Sequence, residues 1–99
     1  MKSLIENLNK AFENRIRLGI MSILMVNDRV NFNSLKQNLK LTDGNLASHI
    51  ASLEKEEYIL IHKQFVGKKP QTTYTASVKG RKAFIEHLNA LEKLVKNSK

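Results

Sequence analysis

The chain has 99 residues, 41% of them hydrophobic, with 17 Lys and Arg against nine Asp and Glu for a net charge of +8, and no cysteine. A chain of this length supports one compact domain that buries roughly 60 to 70% of the surface its unfolded form exposes, with no second core. The missing cysteines exclude a disulfide framework, a thiolate metal site and a cysteine redox switch; with no apolar run of about 18 residues and no basic-then-apolar leader, the expectation is a cytoplasmic protein without membrane span or signal peptide.

Residues 3–12 place Leu4, Ile5, Leu8 and Phe12 on one side, which predicts an amphipathic helix of about two to three turns. Asn14 is the predicted cap of a second helix running to about Asn27. Its Ile16, Leu18, Ile20, Met21, Ile23, Leu24 and Met25 leave only a narrow polar side, so this helix belongs at the centre of the core. Asp28 and Arg29 end it, and Val30 to Phe32 form a short extended piece. Asn33 is the expected N-cap of the next helix, since its side-chain oxygen can accept from an unpaired backbone N–H of the first turn.

Leu35, Leu39, Leu46, Ile50 and Leu53 follow at helical spacing, interrupted by a polar break at Lys40 to Thr42. This pattern predicts two short helices packed across a turn, the first ending near Leu39 and the second capped by Thr42 and ending near Glu56. Asp43 falls in the first turn, where negative charge suits the positive end of the helix dipole. Residues 58–66 and 71–76 are rich in β-branched and aromatic side chains and predict two antiparallel strands, joined by a loop over Gly67, Lys68, Lys69 and Pro70. Ser77 starts a last helix that carries Phe84, Leu88, Leu91 and Val95 at heptad-like spacing. The fold class expected is mainly α with a small β-hairpin wing (α+β), a winged helix-turn-helix in one domain over residues 1–99. Within it, residues 33–56 form the helix-turn-helix, 58–76 the wing, and 1–13 and 77–97 the terminal helices.

Charge is distributed unevenly. Residues 1–57 carry eight Lys or Arg against seven Asp or Glu, whereas residues 58–99 carry nine against two. An excess of positive charge beside a helix-turn-helix points to a polyanion, here double-stranded DNA. On the 42–56 helix, Asn45, Ser48, His49 and Ser52 form a short polar stripe beside the apolar one, with Thr42 and Asp43 at its start. Gly44, Ala47 and Ala51 keep the helix slim enough for a major groove about 12 Å wide. Lys68 and Lys69 at the hairpin tip can reach phosphates or a minor groove, with Lys63 and Gln71 beside them and Arg81 and Lys82 as an extension. The plainer account of these lysines is that they keep a strand edge soluble.

Other chemistry finds little support. His49, His62 and His87 are far apart, without a His four residues on, and Glu86-His87 is an isolated pair, so no metal site is predicted. No Gly-rich phosphate loop, nucleophile elbow or paired catalytic carboxylates are present, so no catalytic residue, cofactor or enzymatic activity is expected. Surplus apolar surface on the terminal helices suggests a homodimer seam of Leu4, Ile5, Leu8, Phe84, Leu88, Leu91 and Val95, although these helices can equally cover the core of one chain. An apolar cleft in such a dimer is a place for a small-molecule effector, and a protein-interaction module without sequence-specific DNA binding is the alternative function.

From Asn14 to Val95 the chain resembles small stand-alone winged-helix regulators related to the MarR and ArsR families. The resemblance is carried by residues 41–46 with His49, by residues 53–59, and by residues 67–74. It implies a homodimer on a near-palindromic operator, commonly a repressor, with residues 42–52 and the wing lysines on DNA. Two positions depart from the family pattern: Arg15 stands where Pro is common, and Glu57 where Gly is common at the helix-to-strand corner. A left-handed Glu57 would cost roughly 1 to 2 kcal/mol that Gly avoids. The ArsR thiolate metal site is absent.

Overall fold

Side-chain caps start the helices, and strand pairing decides where one of them begins. The computed structural model describes residues 3–97, and in it α1 (Arg15–Met25) opens with Asn14 Oδ1 accepting from the backbone N–H groups of Ile16 and Arg17. The extended piece β1 (Val30–Asn31) is one residue shorter than expected, because Phe32 already belongs to α2 (Phe32–Leu39). Its cap is Asn31 and not Asn33. Asn31 is held extended by pairing with Thr73, so the chain leaves the ladder there and its Oδ1 takes the Ser34 N–H at 2.8 Å. Lys40, in the left-handed conformation at φ 53°, ends α2, and Thr42 caps α3 (Asp43–Lys55) by accepting from Asn45 N–H at 3.2 Å.

The amino-terminal segment departs from the amphipathic helix its periodicity predicts. Residues 4–8 form turns only, followed by one 3₁₀ turn at Lys10–Phe12, so no α-helix forms over residues 3–13 of the expected 1–13 helix; Met1 and Lys2 lie outside the described residues. Asn9 is the cause. Its backbone is extended, its N–H goes to His87 Nδ1 at 3.0 Å and its Nδ2 to the Tyr58 hydroxyl at 2.9 Å, so it cannot donate back along a helix. Its Oδ1 instead caps the 3₁₀ turn at Ala11 N–H, and Phe12 enters the core.

Strands β2 (Ile59–Val66) and β3 (Lys69–Ala76) form an antiparallel hairpin, and β1 adds to the other side of β3, giving the order β1-β3-β2. The ladder continues to Phe65↔Pro70 and Val66↔Lys69, so the connection is the two residues Gly67 and Lys68, shorter than the expected 67–70 loop. Gly67 at φ 65° with no positive φ at Lys68 matches a type II′ turn, whose twist suits paired strands. Pro70, which has no N–H to give, sits beyond the end of β1, where β3 has no second neighbour.

α4 (Val78–Asn97) follows at once. Ser77 caps it through Gly80 N–H and ties it back by donating to Glu57 O at 2.7 Å, while Ser77 N–H donates to Tyr58 O. A Cβ on Gly80 would overlap the Tyr58 carbonyl, so only glycine lets α4 approach this close. The core joins Ile20, Met21 and Leu24 of α1, Leu35 of α2, Leu46, Ile50 and Leu53 of α3, and Ile59, Tyr74 and Phe84 from the sheet and α4. Phe12 stacks on Tyr58 and meets Phe84 edge-on at 5.2 Å between ring centroids. Among the described residues, no helix is long and apolar enough to cross a membrane.

Candidate nucleic-acid interface

α3 is fastened along one line and open along the other. Leu46, Ile50 and Leu53 are buried at spacings of four and three, which turns Gly44, Asn45, Ser48, Ala51, Ser52 and Lys55 outward, all exposed. Thr42 is exposed, and its Oγ1 accepts the capping bond from Asn45 N–H, which still leaves the O–H as a donor. Asp43 is paired with Lys36 Nζ of α2 at 2.7 Å, bridging the turn between the two helices. Beyond its chain neighbours and the helix's own backbone, no atom lies within 4 Å of where a Gly44 Cβ would be. The outward face is therefore small, polar and unobstructed, the shape a major groove admits.

His49 sits on the flank of this face and is half-buried. Its Nδ1 lies 3.1 Å from Nη1 of Arg17, which reaches across from α1 and also donates through Nε to Ala11 O at 2.6 Å. Burial, and secondarily the Arg17 charge, push the imidazole below its ordinary pKa, which favours its neutral form. Ser52 shares a surface cleft of about 230 Å³ with Lys10, Ala11, Arg17 and Glu56.

The wing contributes cations on a hairpin that outruns the core. Ile59 is buried, Ile61 half-buried, and Lys63 and Phe65 on the same face are exposed. Lys68 occupies the turn and Lys69 the first position of β3, both exposed. Lys69 and Gln71 line a cleft of about 440 Å³ together with Asn31, Phe32 and Asn33. The outer half of the wing and the start of α2 thus share one surface.

Residues 16–95 match the family described as the winged helix DNA-binding domain. The chain belongs to this family. A curated relative, an uncharacterized protein of Methanocaldococcus jannaschii, is 33% identical over 88 residues, covering 89% of this chain and 96% of the relative. Among solved structures, a transcriptional regulator homologue protein from Pyrococcus horikoshii superposes with a TM-score of 0.83 at 27% identity, covering 94% of this chain and 90% of that one. The chain is also similar in fold to a Bacillus cereus protein named as a MarR-like transcription regulator, with a TM-score of 0.64 at 18% identity, covering 97% and 74%.

Within this winged helix domain three side chains stand apart from the sequence expectation. Lys55 completes the outward line of Gly44, Ser48 and Ala51, and its spacing of four from Ala51 was legible in the sequence. Arg17 carried no such signal, since it meets His49 only through the packing of α1 on α3. Arg81 is half-buried and caps the end of α1, donating to the Met25 carbonyl at 3.3 Å, which takes it away from the basic surface. On the terminal segments, Leu4, Ile5, Leu88 and Val95 are exposed and Leu8 and Leu91 half-buried, whereas Phe84 is 4% exposed inside the chain's own core. Among the described residues, no three His, Asp or Glu side chains converge as a metal site would require.

Proposed function

We propose that this winged helix domain is a sequence-specific regulator of transcription, with α3 in the major groove of double-stranded DNA and the wing tip at Gly67 to Pro70 on the backbone or minor groove. The observation that carries the reading is the α3 face: short hydrogen-bonding side chains between glycine and alanine shoulders, on a helix anchored by three buried residues. The regulator names borne by similar structures support it. Net positive charge supplies the sequence-independent part of the affinity.

The domain acts as a homodimer and represses from a near-palindromic site, its two recognition helices spaced roughly 34 to 36 Å apart for successive major grooves. Leu4, Ile5, Leu8, Leu88, Leu91 and Val95 form the apolar surface for the pairing, with Phe84 supporting it from the core. Fluorescence anisotropy on the duplex upstream of its own gene and on a scrambled duplex, at several salt concentrations, tests the reading. A preference of about tenfold with strong salt dependence supports it. No binding of any duplex at low salt would overturn it in favour of a protein-interaction module.

A further inference from the structure

We propose that Arg17 is a positioning residue that locks His49 in its Nε2–H tautomer, so that α3 presents a hydrogen-bond donor at position 49 to an acceptor atom of the bound duplex. The inference rests on the DNA-binding reading above and specifies one contact within it. A guanidinium carries donors only and stays protonated throughout the physiological range. The hydrogen in the 3.1 Å contact between Arg17 Nη1 and His49 Nδ1 therefore belongs to Arg17, and Nδ1 must offer its lone pair. A neutral imidazole has one N–H, so it sits on Nε2. A doubly protonated ring would turn a donor and a positive charge against the guanidinium, which disfavours that state.

Arg17 is itself fixed, because its Nε is engaged by the Ala11 carbonyl at 2.6 Å. This second anchor separates a positioned guanidinium from a mobile surface cation. His49 lies on the helix flank shared with the exposed Asn45 and Ser52, and its Nε2 has no protein acceptor among the described residues. A ring free to exchange tautomers could also accept at Nε2 from the amino groups of adenine and cytosine, by moving its proton to Nδ1. Locked as a donor, it selects purine N7, guanine O6, thymine O4 or a phosphate oxygen and rejects an amino group.

Ring ¹⁵N spectra of the free protein at about pH 7, together with two amide analogues, test this. Wild type is expected to show His49 as the Nε2–H tautomer, and Arg17→Met to show mixed tautomers with unchanged helical content. An Nδ1–H or doubly protonated ring in wild type overturns the proposal whatever the DNA does. Glutamine places its amide N–H at the reach of Nε2, and asparagine at the reach of Nδ1. On a duplex enriched by wild type from a random pool, His49→Gln should stay within about threefold of wild type and His49→Asn should lose about tenfold. Loss confined to the enriched duplex assigns a base edge as the acceptor, and equal loss on a scrambled duplex assigns a phosphate. Two analogues that behave alike overturn the donor role while leaving the DNA-binding reading intact, whereas a wild type that retains no duplex overturns both.

Discussion

α3 and the wing present polar and cationic side chains by opposite means. α3 buries a residue every three or four positions, and its flanks are fastened by the Lys36–Asp43 pair and the Arg17–His49 contact. The wing is anchored at its base by Ile59, Tyr74 and Ala76, while residues 63–70 are all exposed. A base edge is read by hydrogen bonds that tolerate little displacement, which suits side chains on a helix pinned on three sides. A phosphate is attracted over a longer range and tolerates imprecision, which suits long cations on a hairpin tip. On the proposed reading, rigidity goes where discrimination is needed, and reach where only charge is needed.

The contrast can be broken most forcefully from the core side. Leu53→Ala, at a fully buried α3 anchor, is expected to cost about 2 to 5 kcal/mol in denaturant unfolding, whereas Phe65→Ala on the exposed wing should stay within about 0.5 kcal/mol. Comparable losses would show the wing to be as tightly packed as α3. Asn45→Ala and Ser48→Ala should each weaken binding to a preferred duplex by about 1 to 3 kcal/mol and leave binding to random sequence nearly unchanged, as measured by anisotropy.

The corner between the two regions gives a smaller effect of opposite sign. Glu57 lies at φ 63°, in the left-handed region, and its exposed ion pair with Lys79 at 3.7 Å adds little. Glu57→Gly relieves about 1 to 2 kcal/mol of strain against a glycine entropy cost of about 0.5 to 1 kcal/mol, so a net gain of about 1 kcal/mol is expected in thermal unfolding. Lys68→Ala with Lys69→Ala should leave stability alone and reduce the log–log salt slope of binding by about 0.9 for each phosphate that is no longer neutralised. An unchanged slope would detach the wing from DNA.

Acidification gives the last test. Burial lowers the pKa of His87, partly opposed by Glu13, and burial with Arg17 lowers that of His49, both below the ordinary 6.5. The unfolded chain then binds more protons than the folded one, so this contribution is complete above about pH 6.5 and is lost as pH falls through the lowered folded values. Thermal midpoints should decline from pH 7 to 5, and His87→Gln should flatten part of that decline. A flat profile would show that neither ring is held neutral by the fold.

Much of this molecule was determined by its sequence alone, wherever a few neighbouring residues suffice. Asn14, Thr42 and Ser77 cap helices because the accepting atom and the N–H groups it satisfies lie within three residues. The apolar spacing of Leu46, Ile50 and Leu53 settled which side of α3 faces outward, and with it most of the candidate site. Tertiary structure decided the rest. Asn31 displaced Asn33 as a cap because β3, some 40 residues on, pairs with it. The amphipathic pattern of residues 3–12 did not become a helix because Asn9 is claimed by Tyr58 and His87. Phe84 left the apolar seam of α4 for Phe12, and His49 acquired its fixed partner from another helix. In each case, a distant partner supplied a hydrogen bond or a ring contact that outweighed the local preference, and local sequence carries no record of such a partner.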